Sequence, residues 1–263
     1  MDGTQSQWFS DVADALLGAE RLRLPLPPLT SRRPDLTLED AYAIQAAAVA
    51  RRVAGGARVV GHKVGVTSLA MQQQMGVDEP DSGVLLDHMM LPGGSCLLRE
   101  DFMSPRVEAE IAFRLGRELP GPEVTVDAVR DAVSEAFLAL EVIDTRYPDW
   151  RISLADSIAD NASCARVVTG SMIGLDPGWD LRAEHLVVSL NGTPVAEGHG
   201  SAVLGDPFHP VIWLARRLHG LGSGLRAGDV VLAGAVHASI PLPAGSEVTV
   251  TSPHLPPVAL KVA

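Results

Sequence analysis

Two glutamates one residue apart, Glu108 and Glu110, stand in the run Arg106-Val107-Glu108-Ala109-Glu110-Ile111-Ala112-Phe113. Read as a strand, this run puts Val107, Ala109, Ile111 and Phe113 on one face and both glutamates on the other. Their Cα atoms then lie roughly 7 Å apart, close enough for both side chains to reach one point. Like charges so placed repel unless a cation lies between them or one carboxyl keeps its proton. A third carboxylate, Glu141, interrupts the apolar run Ala139-Leu140-Glu141-Val142-Ile143, where a charge needs a partner. Three inward carboxylates without a matching cluster of Lys or Arg suit a hard divalent cation, Mg2+ or Mn2+. The same spacing also fits the wet face of an edge strand, with Glu141 ending a helix, and spacing alone does not separate the two.

Lys63, in Gly61-His62-Lys63-Val64-Gly65, alternates with valines in a glycine-flanked run. Pointing inward, it would lose hydration, which lowers a lysine pKa towards acid–base use; on an edge strand it would be exposed. Asp160, Asn161 and Ser163 offer short polar groups able to orient a substrate, or to cap a helix end. Asp81, in Asp78-Glu79-Pro80-Asp81-Ser82-Gly83, reads locally as a turn carboxylate, and His199 and His237 as structural or surface groups.

The chain lacks a phosphate loop, a dinucleotide-binding glycine pattern, HExxH and GxSxG, which disfavours nucleotide-dependent enzymes and the common serine hydrolases. Its 263 residues carry a net charge of −11, which argues against nucleic acid or an anionic membrane as partner. Small anionic substrates remain compatible, because a bound cation reverses the local sign. Cys96 and Cys164 form no disulfide framework and are expected as reduced core residues. The opening residues lack the basic and apolar regions of a signal peptide, and no apolar stretch nears about 18 residues, so a cytoplasmic protein is expected.

The elements that must position these groups fall into two parts, expected as one folding unit: a helical segment over residues 1–56 packed on a β-rich catalytic domain over residues 57–263. In the first, Trp8, Phe9, Val12, Ala13, Leu16 and Leu17 recur at helical spacing. The proline-rich stretch 24–34 predicts a non-helical connector. Thr37 caps a second helix that ends at Gly55 and Gly56. Beyond lie short β-rich runs, including 58–66, 106–115 and 137–144, with helices predicted over 126–135 and 210–221. Asn191-Gly192 between two alternating runs predicts a hairpin. Strands dominate without regular βαβ alternation, which predicts an α+β fold.

Five segments in order resemble a known family: Gly61-His62-Lys63-Val64-Gly65, Gln74-Met75-Gly76-Val77-Asp78-Glu79-Pro80, Val107-Glu108-Ala109-Glu110-Ile111, Ala139-Leu140-Glu141-Val142-Ile143 and Ala159-Asp160-Asn161-Ala162-Ser163. Together they resemble the 2-keto-4-pentenoate hydratase and 4-oxalocrotonate decarboxylase family, within the fumarylacetoacetate hydrolase superfamily. The resemblance implies a mixed β-roll with flanking helices and a helical N-terminal segment. It implies Mg2+ or Mn2+ on Glu108, Glu110 and Glu141, with Lys63 and Asp81 catalytic and Ser163 in the substrate pocket. Asn161, Arg146 and His237 are the further substrate-binding candidates, and Arg166 and His199 the other cations available to a distal group.

The implied activity is a hydro-lyase that adds water to a 2-hydroxypenta-2,4-dienoate to give a 4-hydroxy-2-oxo acid, a step of aromatic catabolism. The alternatives are decarboxylation of a 2-oxo-3-enedioate and C–C hydrolysis of a larger 2-oxo acid. Residues 144–147 and 163–167 are nearer the decarboxylase branch; the surroundings of Lys63 and residues 71–74 are nearer the hydratase branch. A homo-oligomer is expected, with a neighbouring pathway enzyme as a further partner. An idle scaffold subunit would have no use for a costly carboxylate cluster.

Overall fold

The structure, a computed structural model, describes residues 3–68, 72–73 and 77–263. Met71 and the Gln74, Met75 and Gly76 of the second resembling segment lie outside the described residues. The chain opens with helix α1 (Gly3–Leu22), a single turn α2 (Leu29–Arg32) and α3 (Leu38–Ala54). Thr37 caps α3 with a reciprocal capping box: its side chain accepts from Asp40 N–H while the Asp40 carboxylate takes the Thr37 N–H. The turn α2 interrupts the stretch expected to be non-helical. Pro28 precedes its first residue, where a missing N–H costs nothing, and Asp156 accepts from both the N–H and the hydroxyl of Thr30.

Strands β1 (Val59–Gly65), β2 (Asp81–Leu86), β3 (Met90–Pro92), β4 (Cys96–Leu97) and β5 (Arg106–Leu115) follow. Then come α4 (Val126–Ala132), β6 (Val133–Ile143), α5 (Leu154–Ala159), β7 (Cys164–Thr169), β8 (Ile173–Gly174), β9 (His185–Leu190) and β10 (Thr193–His199). The chain closes with α6 (Phe208–Gly220), β11 (Val230–Ala235), β12 (Ile240–Pro241), β13 (Glu247–Thr251) and β14 (Val258–Val262). The helix predicted over 126–135 ends early, at Ala132, because Val133 already pairs with Leu115 in the sheet ladder. Asn191 and Gly192 turn the β9–β10 hairpin with φ of 50° and 79°, the positive pair that such a turn demands. Cys96 is exposed rather than in the core; Cys164 is buried.

The larger sheet runs β2-β1-β11-β5-β6-β7-β3, with β12 added to β5 and β8 to β6; β1–β11 and β3–β7 pair in parallel and the remaining pairs are antiparallel. The smaller runs β10-β9-β13-β14-β4. Alternation along β5 and β6 divides the core. Val107, Ala109, Ile111, Phe113, Leu138, Leu140 and Val142 face α6 and the smaller sheet. Ala112, Phe137 and Ala139 face the other way, with Leu85, Cys164, Val167 and Leu232. On that second side β2 comes back against β7, so the larger sheet curls around its own inner face. The helical segment packs on the roll through a cluster of its own, which joins Phe9, Leu16 and Ile44 to Tyr147, Leu154 and Ile158. No described helix is long and apolar enough to cross a membrane.

Where α5 ends, Arg146 pairs with Asp160, and both side chains are about 5 % exposed or less. Asp160 also takes the Arg146 N–H at 3.0 Å, and Arg146 Nη2 donates to the Asp160 carbonyl at 2.9 Å. Removing one member of such a pair leaves a bare buried charge, so Asp160→Ala is expected to lose about 3–5 kcal/mol of stability in urea unfolding. Replacing both as Arg146→Met/Asp160→Leu is expected to recover most of that loss.

Candidate functional site

Glu108 and Glu141 are direct cross-strand partners in the β5–β6 ladder, and Glu110 sits opposite Ala139 one pleat away. Neither β5 nor β6 is an edge strand, so the wet-edge alternative fails. One carboxylate oxygen from each of the three lies within 4.8 Å of the others. Glu110 and Glu141 are 1 % and 0 % exposed, which rules out solvated surface acids. Lys63 enters from β1, buried, with Nζ 3.6 Å from Glu141 Oε1.

These charges set one another's protonation. Burial raises the Glu108 carboxyl, Glu141 adds to the rise, and Lys63 opposes it, leaving Glu108 at about 7. Burial, Glu141 and Glu108 together push Glu110 well above the ordinary carboxylate range. Lys63 departs from expectation. Burial pulls its pKa down, but the charges of Glu141, Asp81 and Glu108 more than reverse that, and it moves up from the ordinary lysine value. Lys63 is therefore an ammonium held by carboxylates, not a neutral amine made by desolvation.

Asp81 is not a turn residue. It opens β2, pairs with Gly65 on β1 and is 1 % exposed. Burial raises its carboxyl, against the pull of Lys63. Its local sequence is turn-like, but the ladder with β1 decides. Gly65 makes the room: a Cβ there would lie 2.2 Å from Asp81 Oδ1 and 3.2 Å from Lys63 Nζ.

Four oxygens in this region are buried with no hydrogen-bond partner among the described residues: Asp81 Oδ1, both carboxylate oxygens of Glu141, and Ser163 Oγ. Buried polar atoms are rarely left so unless a water, an ion or a functional role accounts for them. Three convergent carboxylates, Glu141 with no hydrogen bond on either oxygen, match the oxygen-rich set that a divalent cation takes, and the residues present fit such an ion. Glu110 is further fixed by the Gly234 N–H, which donates to Oε2 at 2.7 Å; no motif in the sequence announces that contact.

Other expected substrate contacts are engaged elsewhere. The Asn161 side chain accepts from Val84 N–H and donates to Val84 C=O, so it staples β2 rather than presenting a free amide. Arg146 is neutralised by Asp160. His237 accepts the Ala109 N–H on Nε2 at 3.0 Å and bonds the Ala238 carbonyl through Nδ1 at 2.7 Å, so both ring nitrogens are taken. His199 stacks on His185, 4.5 Å between centroids, on the smaller sheet. A cation that sequence reasoning passed over is Arg106. Its position on β5 shares the alternation of Glu108 and Glu110, and its Nε is buried without a partner among the described residues.

Residues 59–263 match the model of the fumarylacetoacetate hydrolase C-terminal domain. The chain is 42 % identical over 230 residues to the 2-keto-4-pentenoate hydratase of Paraburkholderia xenovorans strain LB400, covering 88 % of this chain and 86 % of that one. It is 37 % identical to the 4-oxalocrotonate decarboxylase of Pseudomonas sp. strain CF600 over 86 % of this chain and 85 % of that one. Among solved structures, the 4-oxalocrotonate decarboxylase from Pseudomonas putida G7, complexed with magnesium and adipate, superposes with a TM-score of 0.94 at 33 % identity over 98 % of each chain.

Two outcomes follow for the cluster. Added Mg2+ or Mn2+ at a hundred times its Kd is expected to stabilise the protein by about 2.7 kcal/mol. For a chain of this size that is a rise in Tm of about 5–10 °C, absent in Glu141→Gln. The second outcome concerns pH. Without metal, the folded protein holds the Glu108 proton up to about 7, whereas the ordinary glutamate value is 4.5. The stability this proton contributes is fully present below 4.5 and is lost as pH rises through 7. Melts in EDTA should therefore show wild type losing stability relative to Glu108→Gln across that interval, with the metal-induced gain growing over the same range.

Proposed function

The chain belongs to the fumarylacetoacetate hydrolase family, and from that premise we propose that it is a metal-dependent lyase that hydrates a 2-hydroxy-2,4-dienoate of the 2-hydroxypenta-2,4-dienoate type. The observation that carries the reading is one constellation in which Glu110, Glu141, Lys63 and Asp81 are buried and Glu108 half-buried. Three carboxylates lie within 4.8 Å, an ammonium stands 3.6 Å from one of them, and Asp81 and Ser163 add unpartnered oxygens. Relatives named as 2-keto-4-pentenoate hydratase and 2-hydroxypent-2,4-dienoate hydratase support the choice, at 42 % and 41 % identity.

Glu108, Glu110 and Glu141 would hold Mg2+ or Mn2+. Such an ion supplies a Lewis acid for negative charge developing on the oxygen at C2 of the substrate. Lys63, kept protonated by its carboxylate neighbours, is the proton donor of the site, and Asp81, buried with a raised pKa, is the group that takes a proton. Ketonisation removes the proton of the C2 hydroxyl and places one at C5. Water then adds its oxygen at C4 and a proton at C3, giving the 4-hydroxy-2-oxo acid with no organic cofactor. The Ser163 hydroxyl is free to orient the substrate carboxylate or the attacking water.

A specific observation favours a second reading. The unpartnered Nε of Arg106 could meet a carboxylate at the far end of a diacid, the substrate class of an oxalocrotonate decarboxylase. The solved structure holding adipate belongs to a protein of that name. Against it, the other cations expected there are engaged within the fold: Arg146 with Asp160, Arg166 with the Ala165 carbonyl, His237 through both ring nitrogens, and His199 stacked on His185. Assembly into a homo-oligomer, contact with a neighbouring pathway enzyme, a cytoplasmic location and a place in aromatic catabolism belong to the same proposal and are supported by the family resemblance.

Incubation with Mg2+ and either 2-hydroxypenta-2,4-dienoate or 2-oxohex-3-enedioate, followed by NMR, tests it. Water addition to the monoacid without release of CO2 is expected; CO2 from the diacid would instead establish the decarboxylase. Lys63→Ala is expected to lower kcat by about 10²–10⁴, and Gly65→Ala to lower it while the metal-induced rise in Tm persists.

A further inference from the structure

β5 changes partners in the middle of the stretch that carries Glu108 and Glu110. β11 pairs with it in register from Val230 opposite Arg114 to Leu232 opposite Ala112, then slips, and touches it again only at Ala235 opposite Glu110. β12 takes over at Ile240 opposite Val107. Between these two ladders lies Ala109, the residue that separates Glu108 from Glu110, and there no strand supplies the regular pair of bonds. The connecting segment fills the gap in an irregular way. Val236 N–H donates to the Ala109 carbonyl at 3.2 Å, as a strand would. The Ala109 N–H, however, goes to a side chain, His237 Nε2, at 3.0 Å.

The imidazole is fixed from its other end. Nδ1 bonds the Ala238 carbonyl at 2.7 Å, which makes Nδ1 the protonated nitrogen and leaves Nε2 as the acceptor. The ring thus stands where a backbone carbonyl of a continuous strand would stand. The segment cannot drift outward either: β10 packs so closely behind it that a Cβ on Gly198 would lie 2.1 Å from the Val236 carbonyl oxygen. The same six residues, 234–239, hold the Glu110 carboxylate through Gly234 N–H at 2.7 Å and accept from Arg106 Nη2 on the Ser239 carbonyl at 3.2 Å.

We infer that His237 is a positioning residue of the metal centre: by accepting the Ala109 N–H it fixes the peptide that joins Glu108 to Ala109, and so the spacing of the two glutamate ligands. The inference rests on the metal reading proposed above and deepens it. It assigns His237 a part in metal affinity, not in contact with substrate. Groups of this kind, one step behind a ligand, typically change metal affinity ten- to a hundredfold when removed.

The test compares wild type, His237→Ala and His237→Gln. Gln can place a side-chain oxygen where Nε2 accepts; Ala cannot. Mn2+ affinity is read from the EPR signal of free Mn2+, and exchange of the Ala109 amide from hydrogen–deuterium exchange in EDTA. His237→Ala is expected to weaken Mn2+ binding by about ten- to a hundredfold, to speed exchange at Ala109, and to regain kcat at saturating Mn2+, with Gln restoring most of the affinity. Should His237→Ala not fold, His237→Met keeps the bulk without a comparable acceptor and carries the same comparison. A Kd for Mn2+ in His237→Ala equal to that of wild type overturns the inference, whatever the melting temperature does. Wild type that binds no Mn2+ overturns the metal reading itself, and this inference with it.

Discussion

Three carboxylates crowded to within 4.8 Å inside an apolar roll, with one ammonium beside them, cannot all be ionised at moderate cost. That repulsion is the constraint to which the rest of the site answers. The same carboxylates raise the pKa of Lys63 although burial works the other way, and with burial their mutual repulsion raises the carboxyls of Glu108 and Glu110. A hard divalent cation relieves it more fully than a second lysine could, because it takes several oxygens at once. Around the cluster the fold supplies rigidity. β5 and β6 are interior strands whose far faces are packed solid by Val107, Ile111, Phe113, Leu138 and Leu140, so the glutamates have no route to water by a shift of register.

Much of this was legible in the chain because the period of a strand is two. Glu-x-Glu in an apolar run already put both side chains on one face, and Glu141 in a run too apolar for surface already asked for a partner. What the sequence could not show was which neighbours the long-range ladder brings. Asp81 lies in a stretch rich in turn residues, and only pairing with β1 makes it the first residue of a strand facing Lys63. The Lys63 shift runs opposite to the sequence expectation for the same reason: burial is a local inference, but the opposing carboxylates come from β2, β5 and β6.

The polar residues near the site divide by whether their hydrogen-bonding capacity is already used. Residue type alone made Arg146, Asn161 and His237 as plausible as Ser163. In the fold, the side chains of the first three are each bonded to backbone or to a buried carboxylate, and the Ser163 hydroxyl has no hydrogen-bond partner among the described residues. Arg106 shows the reverse: a residue that spacing placed beside the motif without remark keeps a buried Nε unpaired.

The engaged residues nevertheless serve the free one. Asn161, Ala162 and Ser163 take φ of 55°, 49° and 59° in succession, a left-handed run that asparagine tolerates singly but that is costly for Ala162 and Ser163. Strain of that kind persists when the surroundings over-determine it, and it concentrates at functional sites. Here the restraints can be named. Asn161 is bonded twice to Val84; Asp160, locked by Arg146, accepts the Ser163 N–H at its carbonyl; and the Ser163 carbonyl takes the Asp144 N–H. The turn so held carries the Ser163 hydroxyl buried and without a hydrogen-bond partner among the described residues, the state that its proposed role of orienting a substrate requires.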